Sequence, residues 1–112
     1  MKLLTLVVKP FRLADVIAAA MEAGAGGATV SEVKGFGRQG GHSESYRGTE
    51  YQIEFVPKVR VDVIVPAEKL DAVLHATAAA ARTGRIGDGK AWVHDLAGVT
   101  RIRTGEAGAD AV

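Results

Sequence analysis

A long polar, glycine-rich segment divides this chain between two apolar, strand-like runs. It reads Lys34-Gly35-Phe36-Gly37-Arg38-Gln39-Gly40-Gly41-His42 and continues to Tyr46-Arg47-Gly48-Thr49-Glu50-Tyr51. Compact domains rarely keep an unstructured connection longer than about a dozen residues unless it works or is disordered. The segment therefore reads as a working loop that grips a ligand, offers itself to a partner, or both. On each side of it the chain repeats one layout of strand, helix and strand.

Leu3 to Val8 is apolar, turns β-branched at its end, and reads as a first strand. Pro10 stops the pairing and suits the first turn of a helix, because its ring fixes φ. Leu13, Val16, Ile17, Ala20 and Met21 then recur at helical spacing. Gly24 closes that helix as a left-handed cap. Ala28 to Phe36 reads as a second strand. Past the loop, Ile53 to Val65 reads as the third, with Val59, Val61, Val63 and Val65 on one face and Arg60 and Asp62 on the other. Pro66 ends it. Leu70, Val73, Leu74, Thr77, Ala78 and Ala81 mark a second amphipathic helix, with His75 on its exposed side. A basic glycine turn spans Thr83 to Lys90, and Ala91 to Leu96 is the fourth strand. Arg101-Ile102-Arg103 reads as a short extended piece. The small, polar tail from Gly105 to Val112 is expected to be mobile.

The order β-α-β-β-α-β is the ferredoxin-like plan of the α+β class: four antiparallel strands with both helices on one face. The other face carries Val and Ile residues that need cover, so self-association is expected. With 112 residues the chain builds one core and one domain, 1–112. Its 14 basic and 13 acidic residues nearly cancel, which gives no bulk signal for nucleic acid or an acidic membrane surface. The absence of cysteine excludes a disulfide framework and a thiolate metal site. Lys9 and Pro10 break the opening apolar run too early for a signal peptide or a membrane span, so a soluble cytoplasmic protein is expected.

The second glycine turn carries phosphate chemistry. Gly84-Arg85-Ile86-Gly87-Asp88-Gly89-Lys90 has the spacing of a nucleotide P-loop, but Ala91 stands where that motif needs Ser or Thr for Mg²⁺. The turn also leads into a strand, whereas a P-loop opens a helix. It is not a Walker motif, yet its physics survives. Glycines let consecutive N–H groups converge on an anion, and Lys90 adds a mobile charge. Arg101 and Arg103 alternate, so on an extended piece both guanidinium groups fork to one side. With Arg38 from the long loop, these cations suit a triphosphate. The competing reading of the turn alone is a solvated hairpin loop, which the two downstream arginines disfavour.

Other signals are weaker. Lys34-Gly35-Phe36-Gly37 matches the first half of an RNA-recognition box on a fold of this topology, but Arg38-Gln39-Gly40-Gly41 follows where stacking aromatics belong. His42, His75 and His94 lack ligand spacing. The sequence identifies no nucleophile–base pair and no close carboxylate pair. A small phosphohydrolase and an RNA-binding module remain the alternative classes.

Five segments carry a family resemblance: Lys34 to Gln39, Tyr46 to Tyr51, Phe55-Val56-Pro57-Lys58, Thr83 to Lys90, and Arg101-Ile102-Arg103-Thr104-Gly105-Glu106. In this order and spacing they resemble nitrogen regulatory protein PII over essentially the whole chain, from Lys9-Pro10-Phe11 onward. The resemblance implies a non-enzymatic homotrimer of ferredoxin-like subunits with a T-loop at about 37–54, a B-loop at about 82–90 and a C-terminal segment at about 99–112. It implies three intersubunit clefts that bind ATP or ADP competitively. With Mg²⁺ and ATP, 2-oxoglutarate would bind beside the nucleotide, and the T-loop would then select partners.

The resemblance also implies residue roles. Gly87, Asp88, Gly89 and Lys90 would line the phosphates, and Arg101 and Arg103 would reach in from the neighbouring subunit. Gly37 and Arg38 would contribute from the T-loop base. Gly27, Thr29 and the Ile64 backbone would hold the adenine, and Asp62 replaces a more usual Glu nearby. Gln39 would complete a Mg²⁺ sphere made of ligand oxygens. Lys58 would pair with the distal carboxylate of 2-oxoglutarate, with Gly41 and Gly87 alongside. Tyr51 would be the uridylylated or adenylylated position, while Thr49 is expected to be unmodified. Gly40 stands where relatives usually carry lysine, which puts partner choice in doubt. Implied partners are an ammonium channel, a glutamine synthetase nucleotidyltransferase, a sensor kinase or an arginine-pathway kinase. Nucleic acid is not among them, and a membrane is reached only through a partner channel.

Overall fold

The computed structural model describes residues 1–37 and 54–112. Four strands form one antiparallel sheet: β1 (Lys2–Val8), β2 (Thr29–Gly35), β3 (Val56–Val65) and β4 (Gly89–Asp95), in the order β2-β3-β1-β4. Helices α1 (Leu13–Glu22) and α2 (Leu70–Ala81) pack side by side across it. Each helix is entered through a short 3-10 turn, Pro10–Arg12 and Ala67–Lys69. The ferredoxin-like order expected from the pattern is the one observed.

Register explains the core. Leu4 pairs with Val63, Leu6 with Val61 and Val8 with Val59 across the two central strands. Alternation puts these six on the helical side with Val65, where Val16 and Ala20 of α1 and Val73 of α2 meet them, all nearly or fully buried. Burying one such Val or Leu side chain contributes about 1.5–3 kcal/mol. Thr77 is buried in α2 as well. Its hydroxyl donates to the Val73 carbonyl at 2.8 Å, so no polar group is left unsatisfied there.

Gly24 ends α1 as expected. Its φ is +115°, its N–H donates to the Met21 carbonyl and Ala25 N–H donates back to Ala20, the paired bonds of a Schellman cap.

The uncovered sheet face is more polar than the Val and Ile surface expected. It presents Arg60, Asp62 and Ile64 from β3, Leu3, Thr5 and Val7 from β1, and Trp92 from β4. At its centre the buried Thr5 hydroxyl donates to Asp62 at 2.6 Å, and Arg60 Nε donates to the same carboxylate at 3.0 Å.

Four boundaries and segments differ from the sequence reading. β3 starts at Val56, since Glu54 and Phe55 precede the strand; Ile53 lies outside the described residues. β4 starts at Gly89, two residues early, because Gly89 and Lys90 pair with Val8 and Val7. Arg101-Ile102-Arg103 is a turn, not an extended piece: Gly105 N–H reaches back to the Arg101 carbonyl at 2.8 Å, and Arg101 N–H donates to Glu106. The tail is placed rather than loose. Thr100 bridges Ala107, Gly108 N–H donates to Val99, and Gly108–Ala111 forms a 3-10 turn. Among the described residues no helix is long and apolar enough to cross a membrane.

Candidate functional site

The Thr83–Lys90 turn is built around one carboxylate. Asp88 Oδ2 accepts from the Thr83 and Gly84 N–H groups, each at 2.8 Å. Its other oxygen accepts from the Thr83 hydroxyl and lies 3.1 Å from the Lys9 ammonium. These bonds, led by the Thr83 hydroxyl, hold the Asp88 carboxyl well below the usual carboxylate range despite partial desolvation. The side chain expected to line phosphates is thus committed to closing the turn, and Asp88 is not among the residues that line the cleft beside it.

Gly89 is irreplaceable in this conformation. Its φ is +106°, and an added Cβ would lie 1.8 Å from the Val7 carbonyl oxygen. Strand β1 approaches so closely that no side chain fits. That approach seats Lys90 opposite Val7 and fixes the N–H groups at the start of β4.

A cleft of about 600 Å³ opens beside the turn, lined by Gly35, Phe36 and Gly37 at the end of β2, by Val7, Lys58, Gly87, Gly89 and Lys90, and by Trp92. Lys58 is almost buried there, and its ammonium donates to the Gly87 carbonyl. Burial, then the nearby Lys9 charge, push the Lys58 amine below its ordinary value, while Asp88 opposes them. The cleft thus joins two cations to a glycine turn. It offers ammonium and N–H donors, with little that could hold a bare metal ion. Phe36 and Phe55 meet edge to face across the loop base, with ring centres 6.2 Å apart.

A second cleft of about 290 Å³ gathers Gly27 from the α1–β2 connection, Thr29 from the start of β2, Asp62 and Ile64 from β3, Arg101, and the C-terminal Ala111 and Val112. Thr29 pairs directly with Asp62. Asp62 lies four steps along β3 from Lys58 on the same face, about 13 Å at the rise of a strand. The candidate residues therefore form two groups at opposite ends of the open face. Arg103 is exposed on its turn and lines neither cleft. Arg38, Gln39, Gly41 and Tyr51 lie outside the described residues.

The sequence placed Thr83 in the turn but did not show its bonds to Asp88; Lys9 as a tie of the turn, Trp92 and Val7 as walls, and the C-terminal residues as lining of the second cleft were missed. Thr83, five residues before Asp88 among glycines, was a readable signal, because such residues bond locally to turn backbones. Lys9 gave none, being 74 residues from its hydroxyl partner.

Fold and turn define a class: a ferredoxin-like domain with a cationic, glycine-built cleft at one end of its open sheet face. The family model described as nitrogen regulatory protein P-II matches residues 1–106, and the chain belongs to that family. It is 55% identical over 107 residues to the nitrogen regulatory protein GlnK of Escherichia coli K12, covering 96% of each chain. It is 53% identical over 112 residues to the nitrogen regulatory protein P-II of Rhizobium meliloti, and 51% to that of Rhodobacter capsulatus, covering all of each chain. It is accordingly a regulatory protein of nitrogen signal transduction rather than an enzyme.

Proposed function

We propose that this regulator senses adenine nucleotide and 2-oxoglutarate together and reports through the loop at about 37–54. The observation that carries this reading is the convergence of Lys58, Lys90, Gly87 and Gly89 on one cleft. Gly87, Gly89, Lys90 and the Asp88 backbone receive the phosphates of ATP or ADP, with Gly37 and Arg38 at the loop base. Lys58 receives the distal carboxylate of 2-oxoglutarate, beside Gly41 and Gly87. The donor set fits a magnesium ion held mainly by ligand oxygens, with Gln39 as the one protein oxygen. When bound, that ion neutralises phosphate charge and orients the ligands.

The separation of the two clefts supports assembly. Gly27, Thr29, Asp62 and Ile64 sit with Arg101, far from the phosphate turn of the same chain. In a homotrimer the adenine cleft of one subunit meets the phosphate cleft of its neighbour, with Arg101 and Arg103 crossing the boundary. Strands β2 and β4 are largely exposed in the single chain, which leaves both sheet edges to be covered. The loop tip then engages nitrogen-metabolism partners: an ammonium channel, a glutamine synthetase nucleotidyltransferase, a sensor kinase or an arginine-pathway kinase. Tyr51 is the modification position, and the protein works in the cytoplasm.

Calorimetry tests the reading. 2-Oxoglutarate is expected to bind only with Mg-ATP, and by linkage to tighten ATP by the same factor. Equal binding with ADP, or without nucleotide, sinks the mechanism. Lys90→Ala should weaken ATP strongly, and Gln39→Ala should weaken 2-oxoglutarate more than ATP.

A further inference from the structure

Lys9 lies behind the phosphate turn and is absent from the lining of the cleft it supports. Its ammonium donates to the Thr83 hydroxyl at 3.2 Å and sits 3.1 Å from Asp88, with the side chain largely buried. A Cβ built on Gly87 would be 3.5 Å from Lys9 Cε and 3.6 Å from Lys58 Nζ, so the two lysines flank Gly87. One end of the turn is tied by Lys9 to the chain just past β1, and its Gly87 carbonyl is tied to β3 by Lys58. A glycine-rich turn loses much backbone entropy on ordering, so an external tie of this kind decides how ordered it is before ligand arrives.

We infer that Lys9 is a positioning residue: by clamping Asp88 and Thr83 it holds the Gly84–Gly89 backbone in its ligand-ready shape before nucleotide binds. The inference rests on the nucleotide and 2-oxoglutarate reading above. Without the clamp, the first ligand must order the turn by itself. Nucleotide, which engages the turn most, carries that cost. 2-Oxoglutarate arriving after saturating Mg-ATP meets a turn already ordered and is largely spared.

The test compares full-length wild type with Lys9→Met and Lys9→Arg by calorimetry, with hydrogen exchange as a ligand-free readout. Lys9→Met should weaken Mg-ATP by about tenfold, the scale of one lost charge-assisted contact. Its 2-oxoglutarate affinity at saturating Mg-ATP should stay within about threefold of wild type, because the turn is pre-ordered there. Amides 83–89 should exchange faster while β1 and β3 stay protected, and Lys9→Arg should recover most of the ATP affinity. Unchanged ATP affinity in Lys9→Met overturns the inference. So does an equal loss of 2-oxoglutarate, which would make Lys9 a direct charge partner of that ligand. If Lys9→Met does not fold, Thr83→Val removes the shared hydroxyl without altering any charge and is read by the same outcomes. If wild type binds neither ligand, the proposed function fails instead, which is a separate result.

Discussion

Two basic glycine turns flank the end of this chain, and they are held in opposite ways. The Thr83–Lys90 turn is tied to the core: Lys9 comes to it from just past the end of β1, Lys58 from β3, and Gly89 is pressed against Val7. The Thr100–Ala107 turn is tied mainly to itself, by the Arg101–Glu106 and Gly105–Arg101 backbone bonds and by exposed side chains. Similar composition thus yields a preorganised pocket in one place and a self-contained arm in the other. What separates them is the elements that reach in, and those lie far away in sequence. A rigid turn suits a polyphosphate that must be recognised by backbone donors. On the proposed trimeric reading, a self-contained arm suits a residue that reaches across to another subunit.

The widest gap between the turns should appear at Gly89. Gly89→Ala places a Cβ 1.8 Å from the Val7 carbonyl oxygen, a backbone atom that cannot swing aside. Strands β1 and β4 would have to part. A loss above about 4 kcal/mol is expected, at the exceptional end for one substitution. Urea denaturation checks it, and a variant within about 1 kcal/mol of wild type would show that β4 can shift away from β1 at little cost.

The same contrast explains what was legible in the sequence. Val59, Val61, Val63 and Val65 alternate, and Leu13, Val16, Ile17 and Ala20 follow helical spacing, so element order and core face could be read locally. Gly24 showed as a cap because it directly follows the apolar stripe. Gly89 was assigned to a turn because glycine usually marks one. Only the approach of Val7, over eighty positions away, shows that it opens a strand. Arg101 and Arg103 alternate as an extended piece would, and the backbone bond from Gly105 curls them into a turn. Cation and glycine types pointed to the Gly84–Lys90 turn and to Arg101 and Arg103, whereas Gly27, Thr29, Lys58, Asp62 and Ile64 were implied only by the family resemblance. Nothing in their spacing revealed that Thr29, Asp62 and Arg101 gather apart from Lys58 and Lys90, or that Lys9 clamps the turn, because those juxtapositions follow from strand pairing.

A smaller but clear difference is expected at Asp88. Asp88→Asn keeps the size and removes the charge that four donors converge on. At neutral pH the variant should melt below wild type and bind Mg-ATP more weakly, since the turn loses its organiser. The pH dependence has a fixed sign. The Asp88 carboxyl titrates lower folded than unfolded, so its contribution is fully present above the ordinary carboxylate pKa of about 3.9 and fades as pH falls toward the folded value. The stability gap between wild type and Asp88→Asn should therefore be constant from neutral pH down to about 5 and narrow below about 4. A gap that widened on acidification would contradict the assigned network.

The least effect belongs to the matching carboxylate of the other turn. Glu106 accepts from the Thr104 hydroxyl at 2.9 Å and lies 3.6 Å from Arg101 Nε, but both ionic side chains are about half exposed. Solvent screens such a pair, and holding two long side chains in register consumes much of what remains. Glu106→Gln should change unfolding free energy by less than about 0.5 kcal/mol. The Arg101 N–H bond is made to the Glu106 backbone carbonyl, which the substitution leaves in place. Thermal denaturation and amide exchange at Arg101 and Gly105 check this. A loss as large as that of Asp88→Asn would show that the two turns are held alike, by carboxylates, and would remove the distinction between pocket and arm.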